Sequence, residues 1–219
     1  MAKKIDGTIG IHTENILPII KKWLYSEKDI FIRELISNSF DAISKLHHIV
    51  NVEQVAHKPE VGKINLVVDK DKRTLTFEDN GLGMDAKEVQ KYINQIAFSG
   101  AEDFISKYQE GEDKKTGIVG HFGLGFYSSF MVADKVQIKT LSYKDGAKPV
   151  LWTNEGSSSF TLEVAKKNEV GTQVILYLNE DESAFLEDSK LEELVKKYAN
   201  FLSVDIQVNG KSVNHKDPL

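Results

Sequence analysis

Between positions 13 and 49 apolar residues recur every three or four places, the period of an amphipathic helix. Pro18 ends or kinks one piece, and "SEKD" at 26–29 gives the next a capped start. In "FIRELISNSFDAISKL" (31–46), at ~100° per residue, Phe31, Ile32, Leu35, Ile36, Phe40, Ile43 and Leu46 gather on one side. Glu34, Asn38, Asp41 and Lys45 form a narrow polar stripe opposite them. The period then changes to two. "KINLVVD" and "RTLTFED" predict two strands joined at Lys70, Asp71 and Lys72 as a hairpin. A helical stretch follows from Asp85 to about Phe98, and the polar run "SKYQEGEDKKTG" (106–117) predicts a mobile loop. Beyond it come a short apolar helix and a meander of "KVQIKTLSY", "KPVLWTN", "SFTLEVA" and "TQVILYLN", separated by the turn residues of "KDG", "NEGSS" and "KNEVG". A helix over 190–202 and a strand in "VDIQVNG" complete the reading. Strands in runs, with helices inserted in blocks, predict an α+β two-layer sandwich rather than a doubly wound sheet.

Composition narrows the class. With 219 residues and 41% hydrophobic content the chain fits one domain with a sizeable core. It has no cysteine, which excludes disulfides, a thiol nucleophile and thiolate metal sites, and which suits a reducing, cytoplasmic setting. "MAKKIDGTIG" lacks the apolar core of a signal peptide, and no run approaches a membrane span of roughly 18 apolar residues. A formal charge of -5 with interspersed signs gives no nucleic-acid footprint. The expectation is a soluble protein with neither membrane nor nucleic-acid partner.

The glycines of "GIVGHFGLGFYSSF" (117–130) carry the first candidate chemistry. No Gly-Lys-Ser or Gly-Lys-Thr occurs, so a Walker phosphate loop is excluded. A dinucleotide fingerprint would follow a strand, whereas a charged loop precedes Gly123 and Gly125. Glycines opening a helix bring backbone N–H groups close to an anion, phosphate above all, and a plain surface loop is the alternative.

In the polar stripe, Ser37, Asn38 and Ser39 occupy the helix centre although all three are poor helix formers. A carboxylate one turn from a carboxamide suits a general base beside a ligand for a hard cation such as Mg²⁺. A solvated helix face is the plain alternative. "TFEDNGLGMD" (76–85) puts Asp79 at a strand end before a Gly-x-Gly turn. It lacks the acidic ladder of a calcium loop, and a buried aspartate there can accept a hydrogen bond from an exocyclic amine such as that of adenine.

Taken in order, "ELISNSFDA", "DNGLGM", "GIVGHFGLGFYS" and "VGTQVIL" resemble the ATP-binding domain shared by gyrase, heat-shock chaperones, sensor histidine kinases and mismatch-repair ATPases. Within that group the chain is similar to the N-terminal domain of the ninety-kilodalton heat-shock chaperones in their bacterial form, over nearly its whole length. The resemblance implies an eight-stranded mixed, mostly antiparallel sheet with helices on one face, the Bergerat-type fold, binding ATP or ADP with Mg²⁺ between helices and sheet. It implies that Glu34 is the general base, that Asn38 is the Mg²⁺ ligand, and that Asp79, with Thr172 and water near Gly83, takes the adenine amino group. Met84 and Phe122 would line the pocket, and Asp41 and Lys45 would lie near the sugar and base edge. Gly120, Gly123 and Gly125, with His121 between them, would form the phosphate-facing turn, inside a mobile lid over about 94–125.

Two positions depart from the family pattern. "NQIAFSGA" (94–101) stands where relatives read "GTIAKSGT", so Phe98 replaces a phosphate-directed lysine and is expected to anchor the lid by packing. His121 stands where glutamine is common. The resemblance further implies a fragment of a longer chaperone, a slow ATPase switch for client proteins whose full-length form pairs with a second copy, the isolated domain being monomeric. The other class is a kinase or DNA-repair ATPase. A sensor kinase needs a phosphoacceptor histidine on a dimerisation helix, and His12, His47 and His48 have no such context.

Overall fold

The computed structural model describes residues 28–53, 61–93, 125–157 and 159–214. Strands β1 (Lys63–Asp69), β2 (Thr74–Asp79), β3 (Ala133–Leu141), β4 (Val150–Asn154), β5 (Phe160–Val164), β6 (Gly171–Leu178), β7 (Asp205–Val208) and β8 (Lys211–Ser212) form one open sheet in the order β5-β4-β3-β6-β2-β1-β7-β8. Only β1 and β7 run parallel; the other pairings are antiparallel. Helices α1 (Ile30–Glu53), α2 (Ala86–Tyr92) and α3 (Asp188–Ala199) and 3₁₀ segments at Gly125–Met131 and Glu180–Leu186 complete the described elements. The expected α+β architecture, with helices on one face of a mixed eight-stranded sheet, is what the chain adopts.

Alternation along the strands decides which face is covered. Ile64 and Leu66, Leu75 and Phe77, Val136 and Ile138, Val150 and Trp152, and Leu176 and Leu178 all point into the core and are buried. The helical layer meets them with residues at helical spacing. Phe31, Ile32, Leu35, Ile36, Ile43, Leu46 and Ile49 come from α1, and Leu191, Leu194 and Val195 from α3. Fully burying one such side chain stabilises by ~1.5–3 kcal/mol, so this seam fixes where α1 lies. Its first turn is held from α3, where Lys197 Nζ donates to Asp29 Oδ2 at 3.2 Å, and by a Lys28–Glu182 ion pair in which Glu182 is buried. Phe31 meets Phe185 edge to face at 5.0 Å.

Local expectations hold closely. The hairpin pairs Asp69 with Thr74, α1 begins directly after "SEKD", and Asp85 caps α2 in a reciprocal capping box with Glu88. The late helix begins at Asp188 and ends at Ala199, against the expected 190–202, and the apolar helix after the glycines is 3₁₀. The meander holds only as far as β5. Strand β6 does not pair with β5 but returns to lie between β3 and β2. Every residue of β5 except Leu162 is exposed, as suits an edge, whereas β6 buries both ends of its run and needs partners on both sides. The short β8 and the 3₁₀ segment kinked at Glu182 have no counterpart in the sequence reading. Among the described residues no helix is long and apolar enough to cross a membrane. The predicted loop at 106–117, and nearly all of the span read as a lid, lie outside the described residues.

Candidate functional site

The site is assembled where α1 crosses the end of β2. Strand β2 ends at Asp79, which stands opposite Thr172 on β6. The turn beyond it is pulled under the helix: Leu82 N–H donates to Ala42 O at 3.2 Å, and a Cβ on Gly81 would lie 2.7 Å from Ala42 Cβ. Only a residue without a side chain fits between turn and helix. Gly83 has φ +61, and a Cβ there would lie 1.9 Å from Leu141 O. Asn80 anchors the other side, accepting from Lys63 N (2.8 Å) and donating to Val61 O (2.8 Å).

Asp79 is the electrostatic centre of this corner. Its Oδ1 accepts from Gly81 N at 2.9 Å, and the Ser39 hydroxyl and the Thr172 N–H also donate to its carboxyl. Burial dominates, pushing its pKa up to about 6, while these three donors and the charge of Lys167 pull it part of the way back. Thr172 is buried, and its hydroxyl lies 3.0 Å from that of Thr140. Thr140 Oγ1 in turn accepts from Met84 N at 2.9 Å. A chain of polar contacts thus runs from Asp79 through Thr172 and Thr140 to Met84, inside otherwise apolar packing.

The second pole lies five residues up α1 from Ser39, about 7.5 Å along the axis at the usual helical rise. Glu34 is half-buried there. Its Oε1 accepts from Arg33 at 3.1 and 2.6 Å, and its Oε2 faces Gly125, where a Cβ would lie only 2.4 Å away. Gly125 opens the 3₁₀ segment, whose Tyr127 hydroxyl donates to Ile93 O and whose Ser128 hydroxyl donates back to Gly125 O. Asn38 is exposed one turn from Glu34, on the same face. Asp41 is buried rather than solvated, and Lys45 is half-buried, its pKa lowered by burial against the opposing charge of Asp41. Of the stripe, Glu34, Asp41 and Lys45 are thus half-buried or buried rather than solvated, whereas Asn38 is exposed.

Of the sequence-predicted residues, Asp79, Thr172, Gly83 and Met84 come together at one end, and Glu34 and Gly125 at the other. Asn38, Asp41 and Lys45 lie along the helix that carries Glu34. Gly120, His121, Phe122 and Gly123, with Phe98, fall outside the described residues. Sequence reasoning missed the roles of Ser39, Gly81, Thr140 and Gly171. For Ser39 the poor helix propensity was the signal. For Thr140 it was a hydroxyl at an inward position of the alternation Val136, Ile138, Thr140. Gly171 has φ +122, and a Cβ on it would lie 2.1 Å from Asp79 O, so this glycine lets β6 approach the backbone at the end of β2.

The family model for histidine kinase-, DNA gyrase B- and HSP90-like ATPases matches residues 25–189. The chain is 50% identical over 211 residues to the chaperone protein HtpG of Bacteroides fragilis, an overlap covering 96% of the chain and 30% of that protein. It is 47% identical over 219 residues to HtpG of Porphyromonas gingivalis, covering 99% of the chain and 31% of the relative. It is 39% identical over 227 residues to a mitochondrial TNF receptor-associated protein 1 homolog of Dictyostelium discoideum, covering 99% and 32%. The chain spans about a third of the length of these relatives.

Proposed function

The chain belongs to the family of histidine kinase-, DNA gyrase B- and HSP90-like ATPases, and from that premise we propose that it is the ATP-binding, slowly ATP-hydrolysing N-terminal domain of a chaperone. The observation that carries this is the pair of carboxylate poles, one at the end of β2 beneath α1 and one on α1 itself. A desolvated carboxylate ringed by Ser39, Gly81 and Thr172 stands at one end, and a half-buried carboxylate against a glycine stands at the other. Asp79 accepts the adenine amino group, with Thr172 and Gly83 beside it, and Met84 packs against the base. Asp41 and Lys45 serve the sugar and base edge. Gly120, Gly123 and Gly125, with His121 and Phe122, form the phosphate-facing turn.

Glu34 orients and deprotonates the attacking water. Arg33 holds Oε1, and Oε2 faces Gly125, which supports Oε2 as the oxygen for this role. Asn38 offers an exposed oxygen donor one turn away, which fits a Mg²⁺ that keeps most of its waters. When bound, that ion neutralises charge on the phosphates. The longer protein would act in the cytoplasm as a nucleotide switch for client proteins, paired with a second copy of itself, while this domain alone is monomeric. The relatives at 47–50% identity are named chaperones, which favours this reading over a kinase or a repair ATPase. Titration calorimetry with ADP and ATP, with and without Mg²⁺, tests it. One-to-one binding that is lost in Asp79→Asn is expected, and absence of binding would sink the proposal.

A further inference from the structure

Strand β3 ends against the turn that follows Asp79, and its last inward position carries a hydroxyl where the alternation Val136, Ile138 would continue with an apolar side chain. This residue, Thr140, is completely buried. Among the described residues three polar groups meet its Oγ1: Met84 N–H donates to it at 2.9 Å, Gly171 O lies at 3.2 Å, and the Thr172 hydroxyl lies at 3.0 Å. A hydroxyl has one proton to give and two lone pairs to receive with. A carbonyl can only accept, so the proton of Thr140 goes to Gly171 O. Met84 N–H fills one lone pair, and the Thr172 hydroxyl must then be the donor to the other. Thr140 is thereby saturated, as a buried polar group should be.

Thr172 bears the consequence. Strand pairing sets this buried residue opposite Asp79, and its single proton is committed to Thr140. Toward a ligand its oxygen can offer lone pairs and nothing else. Carboxylate and hydroxyl then present the same polarity, and an exocyclic amino group, with two N–H donors on one nitrogen, is the group that two neighbouring acceptors select. The residues after Thr140 hold the turn independently of its hydroxyl: Tyr143 N–H donates to Leu82 O at 2.9 Å, and Lys144 Nζ bridges Asp85 Oδ2 (3.1 Å) and Glu88 Oε1 (2.8 Å) at the start of α2. Removing the Thr140 hydroxyl therefore leaves the turn anchored.

We propose that Thr140 is a positioning residue that determines base specificity: it binds the Thr172 proton, and so fixes Thr172 as an acceptor that reads the exocyclic amino group beside Asp79. The proposal rests on the reading of Asp79 and Thr172 as the adenine end. A Thr172 hydroxyl free to turn would also meet the amino group donor to donor, and its lone pair would have to be brought into line at each binding event. An orientation set before binding removes that cost.

The test compares the wild-type chain with Thr140→Val, which keeps the shape and loses the hydroxyl, and with Thr140→Ser, which keeps the hydroxyl. Affinities for ADP and for purine riboside diphosphate, its analogue without the exocyclic amino group, are measured by calorimetry with Mg²⁺, and their ratio isolates what the amino group contributes. In Thr140→Val the ratio should fall about 5-fold, the equivalent of one ordinary hydrogen bond. Thr140→Ser should keep the wild-type ratio. ADP and analogue weakened alike in Thr140→Val, with the ratio unchanged, would overturn the inference, since lost packing or an unpaired Met84 N–H acts on both ligands equally. So would a fall that serine shares. Neutron diffraction from crystals of the deuterated wild-type chain reads the same point without any substitution, and so decides it even where Thr140→Val does not fold: the Thr172 hydroxyl deuterium should lie on the line to Thr140, and a Thr140 deuterium aimed at Thr172 would overturn the proposal. Wild-type chain that binds neither nucleotide, or both equally, would overturn the adenine reading itself, and with it the role of Thr172, whichever way the hydroxyls point.

Discussion

Replacing Asp79 by asparagine should remove nucleotide binding and, at the same time, relieve the folded chain of a cost that depends on pH. Burial raises this carboxyl from 3.8 to about 6. Because the folded value lies above the unfolded one, the folded state holds the proton more tightly. The associated stability is fully present below pH ~4 and is lost as pH rises through about 6. At 1.36 kcal/mol for each pH unit the loss is ~3 kcal/mol. Asp79→Asn cannot titrate and keeps an oxygen for Gly81 N–H, but its amide faces Thr172 N–H as donor to donor, a fixed penalty of roughly 1–3 kcal/mol at all pH. The two effects separate in a difference measurement. Denaturant unfolding of both proteins without nucleotide, at steps between pH 4 and 8, should show the variant gaining ~3 kcal/mol on wild type from the acid end to neutral, with the rise centred between pH 4 and 6. Other carboxylates titrate equally in both and cancel. Calorimetry at pH 7.5 should show ADP binding to wild type alone. A stability difference that stays flat with pH would refute the desolvation argument. ADP binding to the variant as tight as to wild type would reduce Asp79 to a turn residue.

Two further substitutions probe the other contacts. On the proposed role, in which the carboxylate acts on water, Glu34→Ala should cost on the order of 10² in turnover with ADP affinity little changed; steady-state hydrolysis and calorimetry check it, and equal losses in both would contradict the assignment. Gly171→Ala places a Cβ 2.1 Å from Asp79 O at φ +122, a clash with backbone that no rotamer relieves. Loss of ADP binding together with a thermal midpoint lowered by several degrees is expected, and an unchanged midpoint would argue against so close an approach of β6 to β2.

What the sequence by itself determined was local and periodic. The alternation in "KINLVVD" and "RTLTFED" needs only neighbouring residues to declare a hairpin, and the stripe of α1 follows from 3.6 residues per turn. Asp79 before Gly-x-Gly was legible because a strand end and a turn are short-range events, and Glu34 and Asn38 because one helix places them a turn apart. What tertiary structure alone decided was everything that depends on two distant segments meeting. The place of β6 between β3 and β2 is set by which strand edges remain open after the others have paired, and nothing in "TQVILYL" states that. Ser39 hydrogen-bonds Asp79 across a separation of forty positions, and Thr140 serves Met84 only because β3 lies beside β6. Gly171 reads in sequence as the last residue of a turn, and only the fold brings it against the backbone carbonyl of Asp79, because contact depends on distance through space, which the order of residues along a chain does not contain.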